Sequence, residues 1–106
     1  MARALFNVPK RVRRGELFEV KVLIQHPMES GQRRDDRGAI IPRDIIHSLS
    51  CTYNGDLVLR ASLFPAISAN PFLSFHVLAE KSGTIEFAWQ DDQGGSHSES
   101  LPITVE

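Results

Sequence analysis

The 106-residue sequence predicts an all-β protein, an antiparallel β-sandwich of about seven strands in a single domain spanning residues 1–106. Three observations predict it. Apolar residues recur at every second position in several short runs, the spacing that lines one face of a strand. Gly, Pro, Asn and Asp separate those runs, as turns do in sandwiches. No long segment sustains the 3.6-residue period of an amphipathic helix.

A short N-terminal strand is expected near Arg3–Val8. In Leu17–Gln25, Phe18, Val20, Val22 and Ile24 share a face, and Glu19, Lys21 and Gln25 share the other. Around the single cysteine, Leu49, Cys51 and Tyr53 share a parity with His47. Asn54-Gly55 comes next, a strong hairpin signal because both residues tolerate positive φ. Leu57, Leu59 and Ala61 are expected to continue the inward row on the return strand. Leu73, Phe75, Val77 and Ala79 form another such row, and Ile85, Phe87 and Trp89 a third, after a turn at Ser82-Gly83. Asp91–Gly95 reads as a second hairpin loop, and Leu101, Ile103 and Val105 close the chain. Six or seven short strands in this order suggest an immunoglobulin-like sandwich with Trp89 plugging its core. With one cysteine an internal disulfide is impossible, so burial of aromatic and aliphatic side chains must hold the sheets together.

Composition narrows the function classes. Apolar residues make up 42% and charged residues 24%, an ordinary globular balance. No apolar run approaches the roughly 20 residues that cross a bilayer, and no secretory signal is visible at the start. Charge is distributed unevenly. Residues 1–43 carry ten Lys/Arg and five Asp/Glu, a net of +5, and residues 44–106 carry two and eight, a net of −6. The basic residues fall in two loops, Lys10–Arg14 and Arg33–Arg43. With a pI near 6.4 and no aromatic residue among the basic ones, nucleic acid is not the expected partner.

Four histidines and one cysteine (His26, His47, His76, His97 and Cys51) match in number the ligands of the iron site of superoxide reductases, which have an immunoglobulin-like domain. The spacing does not match. Those enzymes carry paired histidine motifs and a Cys-Asn-x-His stretch, whereas Cys51 precedes Thr-Tyr-Asn and each histidine stands alone. An iron protein of that type is therefore the alternative reading, and no metal or cofactor is expected. Cys51 sits mid-strand among apolar parity-mates, the setting of a buried, inert thiol. No nucleophile elbow, phosphate loop or close carboxylate pair is present, so no catalytic residue is expected.

Two segments invite a binding role. The connection from Ala61 to Phe72 is unusually apolar for a loop and holds two prolines, and it either folds over one end of the core or meets another chain. The segment IQHPMESGQRRDDRGAIIPRD, residues 24–44, is long, charged and rich in turn formers.

These stretches carry a resemblance. IQHPMESGQRRDDRGAIIPRDII, CTYNGDLVLRASLFPAISANPFLSF and SGTIEFAWQDDQGG closely resemble the Z subunits of the bacterial sulfur-oxidation (Sox) thiosulfate-carrier complex, from Ala2-Arg3-Ala4 to the C-terminal ITVE. The resemblance implies an immunoglobulin-like sandwich that pairs with a Y subunit of related fold in a heterodimer. The Y subunit's C-terminal-arm cysteine carries the sulfur intermediates and presents them to other Sox enzymes. The Z subunit is non-catalytic and works in the periplasm, exported with its partner. An isolated Z chain, with free edge strands, is a candidate homodimer. The expected partner interface comprises His26, Met28, Glu29, Arg33, Arg34, Asp35, Phe64, Asn70, Pro71 and Phe72. Within the His26–Asp44 segment, Arg33, Arg34 and Arg37 offer forked donors to a partner's carboxylates or to sulfonate groups. Alternatively these arginines pair with Glu29, Asp35 and Asp36 in their own chain.

Overall fold

The computed structural model describes residues 3–106 and contains eight strands. They are β1 (Arg3–Asn7), β2 (Arg11–Val12), β3 (Leu17–Gln25), β4 (Ile46–Tyr53), β5 (Asp56–Ser62), β6 (Phe72–Leu78), β7 (Gly83–Asp91) and β8 (Ser96–Val105). They form a three-stranded sheet, β1-β3-β6, and a five-stranded sheet, β2-β8-β7-β4-β5. All pairings are antiparallel except that of the two-residue β2, which runs parallel to β8. β2 is the one strand too short to have left a periodic signal in the sequence.

The alternation read from the sequence builds the core. Phe18, Val20, Val22 and Ile24 of β3 point inward and are buried, as are Ile85, Phe87 and Trp89 of β7 facing them. Phe6 stacks on Phe87 with ring centroids 4.2 Å apart, and Phe18 meets Tyr53 edge-on at 6.2 Å. These aromatic contacts join the two sheets where a disulfide is absent. Each fully buried large apolar side chain contributes on the order of 1.5–3 kcal/mol. On the edge strand β6, Leu73 and Phe75 are only half-buried against the core.

Two bulges redirect side chains that simple alternation assigns to the core. Between Cys51 and Thr52 the register with β5 slips, so that Cys51 pairs with Leu59 but Thr52 pairs with Leu57. Leu57 thereby leaves the inward row of Leu59 and Ala61 and is 52% exposed. Between Ile46 and Ser48 the register with β7 also slips, and Ile46 becomes fully buried while His47 is only half-buried. A bulge inserts one residue and reverses the facing of the residues beyond it.

The β4–β5 end of the sandwich is closed by neutral hydrogen bonds. Asn54 and Gly55 both take positive φ, 51° and 87°, as the two-residue hairpin requires. The Tyr53 hydroxyl accepts from the Glu80 and Lys81 amides at 3.2 and 3.1 Å and donates to the Lys81 carbonyl. Asn54 Oδ1 accepts from the Thr84 amide at 2.9 Å. Gly83 makes this possible, because a Cβ there would lie 1.6 Å from Asn54 Oδ1.

Candidate functional site

The opposite end of the sandwich carries the chain's long irregular segments, and the structure brings them together. The backbone amide of His26 donates to Asn70 Oδ1 at 3.0 Å, and the Asn70 amide donates to the His26 carbonyl at 2.8 Å. The Ile24 amide donates to the Pro71 carbonyl at 3.0 Å. Asn70 takes a φ of 57°, a conformation that Asn accepts more readily than most residues. His26, Asn70, Pro71 and Phe72, distant in sequence, therefore share one site.

Residues 29–44 form a β-hairpin arm with irregular pairing. Glu29 and Asp44 exchange backbone hydrogen bonds at 2.8 Å, and Arg34 bridges Ile40. At the tip, Asp35 Oδ1 accepts from the Arg37 and Ala39 amides at 2.9 and 3.0 Å, an Asx-type turn. Residues 32–40 are all exposed. The molecule measures 58 Å along its longest axis and only 20 and 18 Å across. A ten-residue strand spans about 33 Å at roughly 3.3 Å per residue, so the body alone does not account for that length.

The arm's charges divide into three groups. Arg33 grips Glu29 through Nε and Nη2, and this pairing holds the Glu29 carboxyl below the usual carboxylate range. At the root, Arg43 forks onto Asp92 at 2.7 and 2.8 Å, and Asp92 also accepts from the Ile45 amide. At the tip, Arg34 donates to the Gly38 carbonyl at 2.7 Å, and among the described residues the Arg37 guanidinium has no partner. Of the intrachain pairs that the sequence allowed, only Arg33–Glu29 forms. Asp35 is spent on backbone amides.

Within the expected interface, Phe64 and Phe72 are strongly exposed, at 65% and 57%, while His26 and Met28 are buried. Met28 has a φ of 52°, its amide donates to His26 Nδ1 at 3.0 Å, and its sulfur accepts from the Ile46 amide at 3.3 Å. These two residues fix the direction in which the arm leaves the sheet. Phe72 continues a row of side chains across the outer face of the three-stranded sheet, where Leu5 pairs with Leu23 and Leu23 pairs with Phe72.

Beside the arm's root lies a cleft of about 390 Å³ whose lining includes His26, Asp44, Asp91, Gln93, Gly95 and His97. His26 Nε2 stands 3.6 Å from Asp44 Oδ1, and His97 Nε2 stands 3.5 Å from Asp91 Oδ2. Gln93 Nε2 donates to Asp44 Oδ2 at 3.0 Å, and the His97 ring stacks on Trp89. Burial raises the Asp91 carboxyl's affinity for its proton, but the amides of Gly95 and Gln93 and the neighbouring His97 outweigh it, and its pKa is lowered. Sequence reading missed this cleft because its residues come from three separated segments. The trace it left was the Gly94-Gly95 pair: a Cβ on Gly95 would come within 2.6 Å of Asp91 Oδ2 and 2.9 Å of His97 Nε2.

Cys51 is buried, and burial pushes its thiol up to about 12, far from the thiolate form that reacts. Among the described residues, no group of three or more His, Cys, Asp or Glu is placed to hold a metal ion.

The fold puts the chain among immunoglobulin-like β-sandwich domains, and the comparisons agree. It is similar to a superoxide reductase (neelaredoxin) from Ignicoccus hospitalis, with a TM-score of 0.73 and 21% identity over 97% of this chain and 80% of that one. It is similar to the sulfur carrier protein SoxY from Chlorobium limicola f thiosulfatophilum, with a TM-score of 0.69 and 13% identity over 97% and 78%. A putative superoxide reductase from Thermotoga maritima gives 0.68 and 19% over 97% and 85%. At these identities the likeness shows the fold alone. No curated protein matches. The sequence profile described as "Sulphur oxidation protein SoxZ" matches residues 6–102, nearly the whole chain. The chain therefore belongs to the SoxZ family, and with it to the subunits of the Sox sulfur-oxidation carrier.

Proposed function

We propose that this chain is the non-catalytic half of a heterodimeric carrier in thiosulfate oxidation. Its partner is a Y subunit, on whose C-terminal-arm cysteine the sulfur intermediates ride. The observation that carries the reading is the family match together with the state of the one thiol. The chain belongs to a sulfur-carrier family, yet its single cysteine is buried and holds its proton to about pH 12. Covalent cargo therefore has to sit on another chain. The arm end supplies what a partner subunit needs: exposed Phe64 and Phe72, an arm of exposed residues, and cationic side chains at its tip. Transient contact with other Sox enzymes falls to the same end, where the arm reaches past the body. The complex works in the periplasm, where the Y subunit takes this chain with it on export.

The test is to co-express the chain with a Y subunit, purify the complex and weigh it before and after loading from thiosulfate. A one-to-one complex with the adduct mass confined to the partner is expected. No complex, or an adduct on Cys51, overturns the reading. In the same preparation, Cys51 of the folded chain is expected to resist a disulfide-exchange reagent at neutral pH and to react at once when urea is added.

A further inference from the structure

Around the arm's root stand four carboxylates, Glu29, Asp44, Asp91 and Asp92, and they fall into two classes. Glu29 and Asp92 each hold an arginine. Asp44 and Asp91 hold none, and these two line the cleft. No lysine or arginine contributes to that lining. Each of the two has instead a histidine nitrogen within 3.6 Å, which is a counter-charge only when protonated.

The donors and acceptors of the cleft are also incompletely matched. Asp44 Oδ1 is shielded from water and receives no hydrogen bond. Its nearest donor, His26 Nε2, is 3.6 Å away, beyond hydrogen-bond reach. The His26 side chain is 6% exposed, and its Nδ1 is committed as an acceptor to the Met28 amide, so the proton of the neutral ring sits on Nε2, at the cleft. Asp91 spends Oδ1 on the Gln93 and Gly95 amides and leaves Oδ2 on the His97 side. Gly95 keeps the space beside that oxygen open, since a methyl there would crowd both Asp91 and His97. Neither carboxylate, although partly buried, is paired with a lysine or arginine, so both lack a fixed counter-charge.

We infer that the cleft between the arm's root and the β7–β8 turn is a receptor for one cationic side chain, the guanidinium or ammonium of an arginine or lysine on the partner subunit. The partner's identity rests on the pairing proposed above; the site itself does not. Such a group supplies the counter-charge that the cleft lacks, and its several N–H donors suit the carboxylates that line it. It also couples occupancy to the arm, because Asp44 is the residue that closes the arm's base against Glu29.

The test uses the whole chain, labelled with ¹⁵N and titrated with N-methylguanidinium or methylammonium chloride at ionic strength matched with sodium chloride. Saturable shifts are expected at the amides of Gln25, His26, Asp44, Gln93, Gly95 and His97, with the rest of the spectrum still. Asp44→Asn and Asp91→Asn should each weaken the apparent affinity by about tenfold to a hundredfold, the range for hydrogen bonds to a charged group. Both keep the oxygen that accepts from the loop, so the fold is retained. Asp56→Asn, on the opposite end, should change nothing. Gly95→Ala, which fills the mouth, provides a second variant should either Asn variant unfold, and it should also weaken binding. Shifts that sodium chloride reproduces, that fail to saturate, or that survive in the Asp44, Asp91 and Gly95 variants overturn the inference. A one-to-one complex with the Y subunit, formed by a chain that ignores both probes, removes this site and leaves the pairing. Probe binding without any complex removes the pairing and leaves the site.

Discussion

The two ends of the sandwich close by different means. At the β4–β5 end, Tyr53 and Asn54 reach across to the 80–84 backbone through neutral hydrogen bonds. At the arm end, backbone hydrogen bonds are joined by two charged contacts, Arg43 on Asp92 and Arg33 on Glu29, with about half or more of each arginine side chain in water. Neutral bonds answer little to salt or pH. Exposed ion pairs are weak singly and are screened. One end is therefore built to stay shut and the other to be adjusted by what binds it.

The largest expected effect strikes the body that both ends share. Phe87 is fully buried and stacks on Phe6, joining the two sheets. Phe87→Ala should cost about 3–5 kcal/mol, the range for emptying an aromatic site in a core. Urea unfolding followed by tryptophan fluorescence reads it, since Trp89 lies two residues along the same strand and its ring centroid is 6.0 Å from that of Phe6. A cost below about 1 kcal/mol would mean that the sheets do not depend on this contact.

Tyr53→Phe comes next and tests the closed end directly. It leaves the ring in place and removes the hydroxyl that serves the Glu80 and Lys81 amides and the Lys81 carbonyl. Leaving such groups unpaired costs about 1–3 kcal/mol. Hydrogen exchange at residues 80–84 should quicken, while exchange in the arm stays as it was.

That contrast also marks what the sequence made legible. The closed end was readable because its signal is local: Asn54-Gly55 comes after a run with a strand's alternation and demands a hairpin. The arm was readable as an irregular segment, since charges, prolines and glycines deny it a buried face. Its hairpin pairing was not, because backbone bonds such as Ile41 to Arg33 carry no residue preference. Leu57 was misplaced for a related reason: a bulge depends on the pairing of two strands, not on the composition of either. The cleft was the least legible part, because His26 and Asp44 meet the Asp91–His97 hairpin only once the sandwich is closed.

The arm's root should respond less, and more locally. Asp92 has its pKa lowered chiefly by the Arg43 fork, against the opposing effect of burial. A carboxyl lowered on folding contributes stability that is full above its unfolded value and is lost as pH falls through the folded value. The root should therefore hold above pH 3.8, the ordinary value for this group, and loosen only at more acid pH. Asp92→Asn should remove the Asp92 share of that acid loosening, leaving those of Glu29 and Asp91, and cost about 1 kcal/mol or less. Exchange at Ile45 and Asp92 reads the loss, and Tyr53→Phe should leave the pH profile unmoved.

The smallest effect on stability lies at the arm's tip. Arg34 donates only to the Gly38 carbonyl of its own turn, and Arg37 has no partner among the described residues. Arg34→Glu and Arg37→Glu together should shift the unfolding free energy by no more than about 0.5 kcal/mol, the usual span for surface changes. If these cations exist for a partner, the same double variant should slow association with the Y subunit and flatten its dependence on salt, with dissociation changed less, because charges at the rim of an interface act mainly on encounter. A variant that is both as stable and as quick to associate as the parent would make the tip a solvated turn and confine recognition to the arm's root and to Phe64 and Phe72. A variant that loses association while keeping stability would place the first contact some distance from the body, at the end of an arm whose exposed length has no internal structural demand to explain it.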